Sequence, residues 1–441
     1  MGRDEKKNQT TEFAPKKIAG NTAWIMSKTI YSSILSFVIG AISARYLGPE
    51  NYGLLGYGTA YINIFLAITR FGLNSFIIND IVKNKEKTDT IIGSAVFFRV
   101  VLSCCSILFI YILMIIIEPG DTLVHVIVFL QSLVLLFDVF EVFEYWFKAQ
   151  MLAKFVSIAA MCGYTATGVF KIILLVKGAS VVWFALSGAI EAAVILIIVA
   201  ACFFKQSGAR LQISKETLSS FYHRGKHMVI TAIGVSLYLQ CDRIMLKKMT
   251  FSSEIVGYYT IALAVATMWE FIPSAVIETA TPIIIKNKLK DEDKYIKSFQ
   301  ALLCLITVMS IVVGVGFICL GGPFIKLVYG NQYINSIAPM NIIIWSTGFA
   351  MVGTARGIWM VQEGLYKYSK YYIFIAAISN IILNYLMIPL WGANGAAIAT
   401  LLTQFISAVA APALFKPTRE FVKIYLTSFK RLPSMIDDLI R

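Results

Sequence analysis

Twelve stretches of roughly twenty or more mostly apolar residues follow one another along this chain, at approximately 22–45, 52–80, 90–117, 122–147, 155–176, 180–204, 226–247, 255–284, 298–320, 336–362, 370–389 and 392–415. No loop between them exceeds about 22 residues. An α-helix rises 1.5 Å per residue, so about 20 residues cross a hydrocarbon core of about 30 Å. In lipid every backbone N–H and C=O must be paired within the protein, which leaves helices as the structure for segments of this length. The expectation is an all-α membrane protein of twelve transmembrane helices. Hydrophobic residues make up 58% of the chain and charged residues 15%, far from the roughly half and quarter of a soluble globule, and the loops leave no room for a soluble domain.

Basic residues of short loops stay on the cytoplasmic side. With a cytoplasmic N-terminus, 28 of the 39 Lys and Arg fall in inside segments and 5 (Arg45, Lys177, Lys247, Lys248, Lys326) in outside ones. Both termini are therefore expected in the cytoplasm. The organisation reads as a tail (1–21), six helices (22–204), a linker (205–225), six helices (226–415) and an amphipathic tail (416–441). That last tail alternates apolar and basic residues, which suits either a helix lying on the inner membrane surface or a partly disordered end. No signal peptide is visible at the N-terminus.

The net charge of +14 is spread over many short loops facing anionic headgroups, which excludes nucleic-acid binding as its explanation. The seven cysteines sit in or beside spans without metal-ligand spacing and read as small apolar residues. His223 and His227 read as surface residues. Hydrolytic, nucleotide and redox signatures are absent, so the chain reads as neither an enzyme nor a holder of cofactor or metal.

The remaining six basic residues, Lys28, Arg70, Arg99, Lys171, Arg243 and Arg356, lie inside the apolar stretches. An unpaired charge there needs a polar lumen or a partner. Lys28, Arg70 and Arg99 fall roughly 9 to 16 Å below the inner surface, counted at 1.5 Å per residue. Opposite them stand Asp138, Glu141 and Glu144 on one face of the fourth span and Glu191 near the centre of the sixth. Each base can thus serve a cargo or a neighbouring carboxylate. Buried acids can also carry a coupling ion, for which Glu191, Glu270, Glu278 and Asp138 are the candidates.

The halves repeat. A shift of 204 positions sets RYLGPENYGLLGYGTAYINIF against MTFSSEIVGYYTIALAVATMW, with Glu50 on Glu254 and Gly53 on Gly257, and a Gly-Ala turn joins the fifth and sixth spans of each half. Six spans per copy is an even number, so both copies enter from the same side, the parallel-repeat plan of a rocking transporter. Together with ARYLGPENYGLLGYGTAY, FGLNSFIIND, Asp242-Arg243, VYGNQYINSIAPMNIII and ISNIILNYLMIPLWGANGAAIATLLTQ, this chain resembles the polysaccharide-unit flippases of the multidrug/oligosaccharidyl-lipid/polysaccharide exporter superfamily, which include the O-antigen flippases.

The resemblance implies a V-shaped pair of six-helix bundles in the bacterial inner membrane. It implies alternating access that carries polyprenyl-pyrophosphate-linked oligosaccharides to the outer leaflet, for O-antigen or capsule. From the depth of the buried acids a proton or sodium is the expected coupling ion, with the membrane potential as the alternative, and a polysaccharide polymerase and chain-length proteins are the expected partners. Guanidinium forks match phosphate oxygens, so Arg70 and Arg99, then Lys28, Lys171, Arg243 and Arg356, are the expected pyrophosphate and sugar contacts. The rival readings are a multidrug cation antiporter of the same fold, which would prefer an acidic cavity, and a membrane polymerase, which would be expected to carry a sizeable outer loop.

Overall fold

The computed structural model describes residues 15–429, so the expectations for 1–14 and for 430–441 lie outside the described residues. Helix follows helix, with no strand among the described residues. The first half holds α1 (Pro15–Arg70), α2 (Leu73–Lys83), α3 (Thr88–Ile117), α4 (Thr122–Ser132), α5 (Val134–Phe137), α6 (Phe140–Ala149), α7 (Ala153–Val176), α8 (Val181–Ala185) and α9 (Ser187–Ser207). The second holds α10 (Lys215–Thr250), α11 (Ser253–Thr267), α12 (Phe271–Lys288), α13 (Glu292–Val328), α14 (Ile337–Gln362), α15 (Ser369–Phe405), α16 (Ala411–Leu414) and α17 (Arg419–Ser428), with a π-helical turn at Ile406–Ala410.

Ten segments among the described residues are long and apolar enough to cross a bilayer. Two of them, Gly20–Arg70 and Tyr366–Leu414, run 51 and 49 residues, more than twice one crossing. Each turns at a glycine with positive φ, Gly48 at 72° and Gly392 at 52°, a conformation that a Cβ would strain. Ten segments with two such turns are consistent with twelve crossings. Helix starts follow from local chemistry: the side chains of Asp121, Ser214, Ser252 and Asp291 accept from free backbone N–H groups at the first turns of α4, α10, α11 and α13.

The loops fall at two ends. One, the linker end, holds the 208–214 linker; the other, the far end, holds Gly48, 118–121, 177–180, 251–252, 329–336 and Gly392. The interior is divided accordingly. A single core spans both halves toward the far end, from Ala44, Tyr57 and Tyr61 to Tyr259, Ile343 and Ala396. Toward the linker end there are two cores, one in the first half around Ile77, Ile92, Phe147 and Phe203, the other in the second half around Ile284, Phe299, Trp359 and Phe421. The molecule is thus joined at one end and parted at the other. One line of contact persists at the parted end, where the start of α10 lies on the first half: Phe221 enters its core, Gly225 packs on Phe71, and Arg224 grips Asp80 through two hydrogen bonds.

At the far end the seam is made of backbone. A Cβ on Gly53 would sit 1.8 Å from the Ser253 carbonyl oxygen, and one on Gly257 2.0 Å from that of Pro49. Both contacts obey the 204-residue shift, so the two copies meet through the same patch. At the other end of the chain, α17 puts Phe421, Ile424 and Tyr425 into the second core. The described part of the C-terminal segment is therefore a helix docked on the bundle.

Candidate functional site

Three polar constellations occupy the membrane-spanning body. The first is an ionic quartet in the first half. The α1 run ends at Arg70 because Phe71 and Gly72 adopt left-handed conformations, φ 49° and 63°. The fourth crossing breaks between α5 and α6 at Asp138 and Val139. These breaks set Arg70 and Arg99 around Asp138 and Glu141. Arg70 donates from Nε and Nη2 to Asp138 at 3.1 Å each and lies 2.9 Å from Glu141 Oε1. Arg99 reaches Asp138 Oδ2 at 2.5 Å and Glu141 Oε2 at 3.2 Å, and Tyr145 donates to Glu141. The expected meeting of Arg70 and Arg99 occurs, but two carboxylates balance their two charges. The Arg99 side chain has no exposed surface, while 45% of Arg70's is exposed. Arg99 therefore has no face to offer a cargo.

The second constellation is a cavity of about 380 Å³ between the halves, lined by Lys171 of α7 and Arg243 of α10 together with Tyr52, Thr59, Asn63, Gln131 and Thr260. Among the described residues neither cation makes an ion pair. Lys171 also lines a smaller adjoining cavity with Glu191, without coming within ion-pair distance of it. Asp242, next in sequence to Arg243, lies beyond ion-pair distance of it but within electrostatic reach, and takes its hydrogen bonds from other groups. A cavity walled by two free cations, hydroxyls and amides suits an anion.

The third constellation surrounds that Asp242, which is 4% exposed. It accepts from Asn384 Nδ2 at 2.5 Å, Tyr259 OH at 2.5 Å and Thr400 Oγ1 at 2.8 Å, and Asn384 also donates to Asn380. Among the described residues no cation lies within ion-pair distance. Its direct hydrogen-bond donors are neutral, and the nearest positive charge recorded, that of Arg243, acts on it only at longer range. Buried Asn384 Oδ1 and Asn380 Nδ2 meanwhile lack partners, and amide orientation is assigned from the hydrogen-bond network. Rotating the Asn384 amide would turn a third oxygen toward the carboxylate, beside those of Tyr259 and Thr400. A carboxylate ringed by hydroxyl and amide groups offers hard oxygen donors of the kind a small cation takes.

The other expected residues are scattered. Arg356 is buried, points its guanidinium at the Tyr372 ring 4.6 Å away, and donates to the Ser407 and Ala408 carbonyls. Those carbonyls belong to the π-turn, where the regular backbone ladder is interrupted, so its partners are dipoles of its own bundle. Lys28 is half-buried without an ion pair among the described residues, and Glu144 pairs with Lys148 at 3.3 Å. Glu270 sits half-buried at the α11–α12 break and Glu278 is exposed on α12; among the described residues neither has an ion pair.

Sequence reasoning missed Asp242 as a buried acid, although it lies in the seventh apolar stretch and carried the same signal as the glutamates. It also missed a far-end link across the halves, in which Lys248 pairs with Glu118 at 3.0 Å and donates to the Ile117 carbonyl, while Tyr57 donates to Glu118 at 2.7 Å.

Residues 18–288 match the family described as polysaccharide biosynthesis protein. The probable flippase AglR of Haloferax volcanii is 28% identical over 166 residues, 36% of this chain and 34% of that protein, so the match spans about a third of its length. Among solved structures, the lipid II flippase MurJ in its inward closed conformation superposes with a TM-score of 0.71 at 14% identity, covering 94% of this chain and 92% of that one. An inward-facing multidrug resistance MATE family transporter of the MOP superfamily gives 0.67 at 15% identity, covering 90% and 96%. At these identities the likeness is one of fold, a MATE-like pair of helical bundles.

Proposed function

The chain belongs to the polysaccharide biosynthesis protein family, and from that premise we propose that it is a flippase that moves polyprenyl-pyrophosphate-linked oligosaccharide units across the bacterial inner membrane by alternating access. The linker end faces the cytoplasm, as the distribution of Lys and Arg favours, and the bundles 22–204 and 226–415 rock about the far-end seam. No covalent bond is made or broken.

The observation that carries this reading is the pair of free cations, Lys171 and Arg243, one from each half, in the cavity between them. A cation at membrane depth costs about 2.5–3.5 kcal/mol on insertion scales, and a pyrophosphate bridging the two would offset it with charge-assisted hydrogen bonds. The exposed flank of Arg70 forms an outlying contact. A multidrug cation antiporter of the same fold is disfavoured by these cations, since a cationic drug would meet like charge there. The Asp242 cluster is the coupling site, for sodium or a proton, in place of the four acids expected from depth alone. A polysaccharide polymerase and chain-length proteins receive the product at the far end.

The test is transport of a fluorescent, short-chain polyprenyl-diphosphate oligosaccharide into the opposite leaflet of proteoliposomes. Lys171→Gln and Arg243→Gln should each reduce the rate about tenfold or more, the loss of one charge-assisted contact of about 1.5–3 kcal/mol. Undiminished transport by both variants, or efflux of ethidium in place of glycolipid transport, would overturn the proposal.

A further inference from the structure

At the far end of the second half lies a cavity of about 520 Å³, separate from the charged one, walled by Tyr258 of α11, Asn335 and Asn341 near the start of α14, and Trp391 and Asn394 at the α15 turn. No Lys, Arg, Asp or Glu lines it, so it offers nothing to a phosphate. Trp391 is 54% exposed and stands directly before Gly392, whose positive φ of 52° turns the chain at the cavity wall. Two acceptors here, Asn341 Oδ1 and Asn394 Oδ1, are buried and lack a hydrogen-bond partner. Sealed in the wall, these oxygens meet a ligand's O–H or N–H groups only when their amides turn toward the cavity, and leaving them unpaired inside is costly. Tyr258 already directs its hydroxyl at Glu254, so it presents its ring to the cavity without a free donor.

From these features we infer that this cavity is a carbohydrate-binding site. A sugar ring has an apolar C–H face and a rim of hydroxyls. The face matches the amphipathic rings of Trp391 and Tyr258, and the hydroxyls match the carboxamides of Asn341 and Asn394 together with the capacity left on Asn335, which already bonds the Tyr258 hydroxyl. The volume falls in the usual range for small-molecule pockets. The site deepens the reading above and rests on it: Tyr258 stands one residue beyond Gly257 of the seam, so the site is placed to take the sugar head as the seam parts. It engages neither the diphosphate nor the lipid.

The test uses the neutral oligosaccharide released by mild acid from the host cell's lipid-linked intermediates, which lacks both phosphate and lipid. Saturation-transfer NMR on the purified full-length protein in nanodiscs should show contact with this probe. Trp391→Leu should weaken binding at least tenfold, Asn335→Ala about threefold, and Trp391→Phe less than threefold. Lys171→Gln and Arg243→Gln should leave binding of this probe unchanged while slowing transport, which separates failure of this site from failure of the flippase reading. Both Trp391 and Asn335 are exposed, and unchanged size-exclusion profiles would show that the variants fold. Absence of binding by the wild type, or equal binding by Trp391→Leu and Asn335→Ala, would overturn the assignment and leave Trp391 as an aromatic anchor at the bilayer surface.

Discussion

Gly53 and Gly257 face each other where α1 crosses α11, and a Cβ on Gly53 would lie 2.7 Å from the Gly257 backbone nitrogen. Residues 204 positions apart in the chain thus touch their own counterparts, as the partners of a two-fold symmetric dimer do. Gly56 continues the line against Thr260, again 204 positions on.

Gly53→Ala should force the seam apart. The added methyl meets backbone, which cannot swing aside, so overpacking of about 1–3 kcal/mol is expected, a shift of roughly 5- to 150-fold in the closed-to-open ratio. A cysteine at Thr260, in a background without the seven native cysteines, should react correspondingly faster with a membrane-impermeant maleimide added at the far end.

Glu118 and Lys248 join the halves at 3.0 Å with partly buried side chains. Glu118→Gln and Lys248→Gln should each lower the melting temperature, and a double-mutant cycle should return a coupling of about 0.5–3 kcal/mol. Exchanging the two charges should recover part of the loss, and a zero coupling would remove the pair from the closure.

Arg99→Ala leaves Asp138 and Glu141 with one arginine between them. Breaking a buried pair in this way destabilises by about 3–5 kcal/mol, read as a fall in melting temperature. Arg70→Ala should do less, because its side chain is 45% exposed and water can replace it. Equal losses would contradict the burial difference.

Asp242→Asn should abolish any rise in melting temperature that sodium chloride produces over choline chloride, and should remove the ion dependence of transport. Glu270→Gln should leave both intact. The reverse pattern would move the coupling site to the α11–α12 break.

Much of this is legible in the sequence. Apolar runs marked the crossings, and depth along a helix put Arg70, Arg99, Asp138 and Glu141 at one level, because rise per residue is constant. Rotation about the axis was not legible: the breaks at Phe71–Gly72 and at Asp138–Val139 reset the helical phase, and phase decides whether a side chain faces a carboxylate or a cavity. Lys171 and Arg243 come from different halves, and the Asp242 cluster gathers side chains of α10, α11 and α15, up to 158 positions apart. No local period reports such meetings. The duplication is readable from the matched span pattern and from Gly53 and Gly257, where the backbones approach too closely for a Cβ.

An interior undivided toward one face and split toward the other leaves the two faces of the protein unequally braced. In the alternating-access cycle proposed above, the shape equilibrium then answers to the bilayer as well as to the cargo. Lipids that crowd the leaflet around the split wedges work against the area those wedges occupy, so membrane composition becomes a thermodynamic input to each cycle, with no dedicated lipid site required.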